Sequence, residues 1–143
     1  MNTITNAIRT ECNEIYKSLH NIPYICKVVI GGSDLYIGEM KGNKRHGKGK
    51  YVYGDKDLYL AWNIRLFNEE NGDIYEGEWK DDQKNGYGIY IHANGDVYEG
   101  EWRDGKRHGY GTYKRHGHDG FAMECEWYNG KPNTNTNILP ILK

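Results

Sequence analysis

From Tyr98 to Tyr113, large and small residues alternate with charged ones in two short runs. Tyr98, Gly100 and Trp102 fall on one face of an extended segment and Glu99 and Glu101 on the other. After a polar stretch around Asp104 and Gly105, the residues Gly109, Gly111 and Tyr113 again share a face. Alternation on both sides of a turn predicts a β-hairpin. The same run begins 23 residues earlier, with Tyr75, Gly77 and Trp79 followed by Gly86, Gly88 and Tyr90. A third copy begins at Tyr36, with Gly38, Met40, Gly42, Gly47, Gly49 and Tyr51. A fixed period of this length predicts stacked repeats. Glycine inside a strand lets a neighbouring group approach the backbone, so the rings are expected to lie over glycines of adjacent strands. The predicted fold is mostly β: a single elongated, twisted antiparallel sheet of stacked hairpins with an aromatic stripe along one face.

The flanks depart from this pattern. Ile4, Ile8, Ile15, Leu19 and Ile22 recur at helical spacings, which predicts a helix over residues 3–21, within an N-terminal unit 1–23 that Pro23 closes. Such a helix would cap one edge of the array. Tyr24 to Ile30 is rich in β-branched residues and reads as a strand, making residues 24–35 a degenerate leading strand and turn. The repeats then run over 36–131, as 36–58, a truncated copy at 59–74, 75–97, 98–120 and a partial copy at 123–131. The truncated copy starts at Tyr59 and lacks both the turn and the Gly-x-Gly pair. In the last copy Met123 and Cys125 replace Tyr and Gly, Trp127 is kept, and no second strand is expected. Residues 132–143 form a polar tail ending in the aliphatics Ile138, Leu139, Ile141 and Leu142, which are expected to dock on this sheet or on a partner.

Composition narrows the options. Only 37% of the 143 residues are hydrophobic, while 13 Tyr and 4 Trp raise the aromatic share to 13%, so rings must supply much of the buried area. The net charge of −1 argues against nucleic acid as a partner. Three cysteines, Cys12, Cys26 and Cys125, without paired spacing suit a reducing compartment rather than a disulfide or zinc framework. The absence of a leader-like or membrane-length apolar run gives the expectation of an intracellular, cytoplasmic chain.

The pattern Tyr-x-Gly-x-Trp-x-x-Gly-x-x-x-Gly-x-Gly, carried by residues 75–97 and 98–120 and less fully by 36–58, resembles the MORN (membrane occupation and recognition nexus) repeat. The resemblance implies a repeat scaffold that binds proteins through an aromatic-lined groove, associates with itself, or lies peripheral to a membrane or cytoskeletal assembly. It carries over no activity.

Tyr36, Tyr75, Trp79, Tyr98, Trp102 and Trp127 are the candidate protein-binding groove, and they are at the same time the filling that holds the sheet. Lys44, Arg45, Lys84, Lys106 and Arg107 recur at equivalent turn positions and are expected to align as one basic strip along an edge, an alternative contact for anionic lipid headgroups. Asp81, Asp82 and Asp104 beside them favour plain solvated turns. The glutamates Glu39, Glu76, Glu78, Glu99, Glu101, Glu124 and Glu126 repeat with the strands, which marks a solvated face rather than paired acid–base groups. His116 and His118 have ligand-like spacing but no third donor in view. No catalytic, cofactor or metal site is expected. The leading expectation is a non-enzymatic scaffold for a protein partner; a peripheral membrane adaptor and a self-associating structural protein are the alternatives.

Overall fold

The computed structural model describes residues 7–10, 24–30, 34–54, 72–117, 122–133 and 139–140. They form one open antiparallel sheet of eleven strands, of which the first ten pair in chain order and the eleventh pairs with the ninth. The strands are β1 (Ala7–Thr10), β2 (Tyr24–Ile30), β3 (Asp34–Lys41), β4 (Lys44–Val52), β5 (Ile74–Lys80) and β6 (Gln83–Ile91). They continue with β7 (Val97–Arg103), β8 (Lys106–Lys114), β9 (Ala122–Tyr128), β10 (Lys131–Pro132) and β11 (Leu139–Pro140).

Each Tyr-x-Gly-x-Trp run is the first strand of a hairpin and each Gly-x-Gly-x-Tyr run the second. Tyr75 stands opposite Tyr90, and Gly77 opposite Gly88; Tyr98 and Gly100 face Tyr113 and Gly111 in the same way. Nearer the turn the register shifts, so that Trp79 faces Lys84 and Trp102 faces Arg107. The turn pairs Asp81-Asp82, Asp104-Gly105 and Asn129-Gly130 all have positive φ at both residues, the conformation that matches the twist of a two-residue hairpin. Between hairpins, His92 and Asp96 close a short turn in which Gly95 takes a φ of 84°.

Rings fill one face of the sheet, and they lie where the glycines leave room. A Cβ added at Gly49, Gly88 or Gly111 would collide with the ring of Tyr36, Tyr75 or Tyr98, respectively. Each of these tyrosine hydroxyls donates to the carbonyl three residues on, at Glu39 (2.7 Å), Glu78 (2.8 Å) and Glu101 (3.0 Å). The indole N–H of Trp79, Trp102 and Trp127 donates to the carbonyl of Gly49, Gly88 and Gly111 at 3.1–3.2 Å. The core is thus a stack of rings on bare backbone rather than an aliphatic layer.

Two expectations are corrected. Ala7–Thr10, the described part of the expected helix over 3–21, is a strand paired with β2. Of the residues that carry the helical spacing only Ile8 lies there, and β2 gains backbone partners on an otherwise open edge. No helix is present among the described residues. Flanking the expected truncated repeat at 59–74, β4 pairs directly with β5, Val52 opposite Ile74 and Tyr51 opposite Tyr75. Residues 53–73 therefore connect two neighbouring repeats; most of them, 55–71, lie outside the described residues. Finally, the last copy does have a second strand, in two pieces: Lys131–Pro132 pairs with Tyr128 and Trp127, and Leu139–Pro140 with Glu124 and Met123.

Candidate aromatic and cationic face

All six ring residues proposed for a groove come together, and all six are buried. They form one ladder in the order Tyr36, Trp79, Tyr75, Trp102, Tyr98, Trp127. Successive centroids are 5.1–5.6 Å apart and the planes are nearly perpendicular, at 80–89°. This is the edge-to-face geometry that the ring quadrupole favours. Tyr36, Tyr75 and Tyr98 are wholly inaccessible. The ladder is the floor of the face, and what a ligand meets lies beside it.

Beside it runs a second row of rings. Tyr51 and Tyr53 are 4.4 Å apart between centroids, Tyr53 and Tyr90 6.1 Å, Tyr90 and His92 4.7 Å, and His92 and Tyr113 6.1 Å. Tyr53, Tyr90, His92 and Tyr113 are only partly buried. Aspartates one repeat apart hold this row: the hydroxyls of Tyr51, Tyr90 and Tyr113 donate to Asp34, Asp73 and Asp96 at 2.5–2.7 Å. The other carboxylate oxygen of each accepts a backbone N–H at the following turn, from Gly54, Ala93 and His116, each at 2.8 Å. Burial and the Asp73 hydrogen bond raise the Tyr90 hydroxyl far above its ordinary range. The Tyr113 bond in turn holds Asp96 below the usual carboxylate range. These aspartates were visible in the sequence as the residue two before each leading tyrosine, and reading only the glycines and rings passes over them.

The five candidate cations do not make one strip. Lys44 and Lys106 are exposed at the hairpin tips, whereas Arg45, Lys84 and Arg107 lie on the ring face. The Arg45 guanidinium is 4.9 Å from the Tyr51 centroid and 4.5 Å from that of Trp79. Lys84 Nζ is ringed by Tyr90 (4.2 Å), Trp102 (4.8 Å), Tyr75 (5.3 Å) and Tyr53 (5.5 Å). Arg107 stands 4.9–5.1 Å from Tyr98, Tyr113 and Trp127. Attraction to the ring quadrupoles keeps the three cations there. Counting back two places from Gly47, Gly86 or Gly109 puts these residues on the ring face, so the alternation already contained this result.

Next to Lys84 and Arg107 the face opens into a cleft of about 270 Å³, lined also by Tyr90, His92, Trp102 and Lys106. Arg107 Nη2 donates to His92 Nε2 at 2.7 Å, and because Arg has no acceptor, that nitrogen carries no proton. Burial, with Arg107 adding to it, lowers the His92 pKa. Burial pushes the Lys84 ammonium down to about 8; Asp73 opposes that shift, while Arg107 and Arg45 reinforce it.

The opposite face carries the glutamates, and they are more than solvated side chains. Glu39, Glu78 and Glu101 each accept the backbone N–H of the residue nine places on, Lys48 (3.0 Å), Tyr87 (3.3 Å) and Tyr110 (3.1 Å), where the register shifts. Glu76 pairs with Lys50 at 3.4 Å, and Glu99 accepts the Tyr87 hydroxyl at 2.9 Å. Among the described residues there is no group of three side chains suited to a metal ion. Nor is any helix of those residues long and apolar enough to cross a membrane.

Comparison with known proteins agrees with this geometry. The MORN repeat family model matches residues 36–58, 75–97 and 98–118. The chain is 35% identical over 74 residues to MORN repeat-containing protein 3 of Xenopus laevis, in a match that covers 42% of this chain and 31% of that protein. The chain thus spans about a third of the length of the curated relative it matches.

Proposed function

Because this chain carries three MORN repeats side by side in one sheet, we propose that it is a non-catalytic scaffold that docks a segment of a partner protein on its ring-and-cation face. The observation that carries the reading is the file of partly buried rings, Tyr53, Tyr90 and Tyr113, beside the caged cations Arg45, Lys84 and Arg107. Amphipathic rings with one wet edge, alternating with cations, suit a peptide laid across several repeats. The six ladder rings support that surface from beneath.

The test is position-specific photo-crosslinking. A crosslinking amino acid replaces Tyr90 or Tyr113 on this face, or Tyr110 on the opposite one. Partner adducts are expected from positions 90 and 113 and not from 110. Adducts confined to position 110 would overturn the reading. A second reading, contact with anionic membranes through the tips, draws on exposed Lys44 and Lys106. It requires vesicle binding that weakens with salt and with Lys44→Ala plus Lys106→Ala.

A further inference from the structure

Arg45, Lys84 and Arg107 occupy equivalent places, and the turn that follows each differs in the side chain of one equivalent residue. The second turn residue of the following hairpin donates its N–H to the carbonyl of each: Asp82 to Arg45 (3.0 Å), Gly105 to Lys84 (3.0 Å) and Gly130 to Arg107 (2.9 Å). All three turn residues have left-handed backbones, with φ of 71°, 78° and 86°. The backbone is therefore the same, and only the side chain changes. Asp82 brings a carboxylate, whose Oδ1 accepts from Arg45 N (2.9 Å) and Nε (3.1 Å). Gly105 and Gly130 bring nothing.

Lys84 accordingly has four rings around it and, among the described residues, no hydrogen-bond or ion-pair partner for its Nζ. Arg107 has only the unprotonated nitrogen of His92. The cleft they share with Lys106 has no carboxylate in its lining. Asp73, the acid that acts on Lys84, is already engaged by the Tyr90 hydroxyl and the Ala93 N–H. Half-buried cations side by side without an anion are an unfavourable arrangement that an incoming carboxylate relieves. Burial lowers the Lys84 pKa first of all, and Arg107 and Arg45 add to it against Asp73.

We propose that this cleft receives the carboxylates of an acidic, extended segment of a partner protein, one at Lys84 and the next at Arg107. Lys84 is on β6 and Arg107 on β8, with β7 between them, so the two sites are two strand spacings apart, about 9.5 Å. An extended peptide crossing the strands advances about 3.3 Å per residue, which places an acid at every third position. Tyr90 and Tyr113 meet the residues between. At Arg45 the corresponding carboxylate is built in, and Asp82 displays the contact that the partner makes at the other two. A segment fits better than a bilayer, since Lys84 lies among the rings and the protruding tips carry Asp81, Asp82 and Asp104. The inference rests on the ring face being the docking surface and narrows what docks there.

The test titrates the full chain into dye-labelled synthetic peptides with Glu at every third position between Val and Thr, and into their Gln counterparts. The Glu peptide is expected to bind about tenfold tighter or more. Gly105→Asp supplies Lys84 with the carboxylate Asp82 gives Arg45. No atom lies within 4 Å of a Cβ added there, so the variant is expected to fold and to lose about tenfold in affinity. Lys84→Met is expected to show the same loss without depending on the turn. Equal binding of the Glu and Gln peptides, or undiminished binding by both variants, overturns the acidic segment while leaving the docking face intact. Binding confined to vesicles of phosphatidylcholine and phosphatidylserine, lost in Gly105→Asp, assigns the cleft to headgroups and also overturns it. The docking face itself fails only on the crosslinking result above.

Discussion

The two faces of this sheet are made by alternate residues of the same strands, and they are specified in different ways. On the ring face, identity is fixed by contact: a Cβ at Gly88 meets the Tyr75 ring, Trp102 lies edge-to-face on Tyr75 and Tyr98, and its indole N–H reaches Gly88. On the glutamate face the contacts to the backbone are local to each hairpin. Glu78 and Glu101 serve the backbone of their own hairpins, and Tyr110, next to Glu101, stands 67% exposed. One face is a cooperative stack, in which each residue depends on the next repeat. The other is a set of exposed fittings within hairpins, joined between them only by contacts such as Lys50–Glu76 and Tyr87–Glu99. A substitution on the first should be felt across the array; one on the second should be felt in its own hairpin and at most the next.

Alkaline titration breaks the comparison hardest. Burial, the first cause in each case, raises the hydroxyls of Tyr36, Tyr51, Tyr75, Tyr90 and Tyr98 well above the ordinary 10. A folded value above the unfolded one means stability that is fully present below about pH 10 and lost as pH rises toward the folded value. Tyrosinate absorbance is therefore expected to appear together with loss of the sheet's circular-dichroism signal; absorbance appearing near pH 10 with the sheet intact would show an open ring face. Lys84 has the opposite sign. Its folded value of about 8 lies below the unfolded 10.5, so it adds stability as pH rises between those values, and Lys84→Met should remove that rise from the wild-type curve.

Trp102→Ala comes next, with an expected loss of about 3–5 kcal/mol in urea unfolding, because it removes a ring shared by two repeats and leaves a cavity. Gly88→Ala should cost about 1–3 kcal/mol by forcing the Tyr75 ring off the backbone. Glu101→Ala should cost about 1 kcal/mol or less, as one exposed hydrogen bond is lost. Tyr110→Ser should stay within about 0.5 kcal/mol of wild type. If Glu101→Ala equalled Trp102→Ala, the two faces would not differ as described.

How much of this was legible in the sequence follows the same division. The ladder was readable because rings and glycines repeat every 23 residues with the strand alternation, and alternation is what a sheet enforces. The place of Arg45, Lys84 and Arg107 was readable too, by continuing that alternation toward the turn, but turn residues draw the eye to solvent. The glutamate bonds were not readable, since they depend on a register shift that a periodic pattern does not mark. Nor was the direct pairing of β4 with β5, because an apolar segment such as Tyr59 to Phe67 says nothing about where its neighbours pair. Ala7–Thr10, holding only Ile8 of the helical spacing, shows the demand of an unpaired edge.

The divided last strand has a further consequence. Both of its pieces contain proline, Pro132 opposite Trp127 and Pro140 opposite Met123. Proline has no amide hydrogen, so the outer rim of the sheet at β9 is short of donors for any strand that would add to it. Hairpins that stack so readily on one another would otherwise recruit the hairpins of another molecule. The two prolines make that rim a poor template for further strands, so lengthening of the array there is disfavoured.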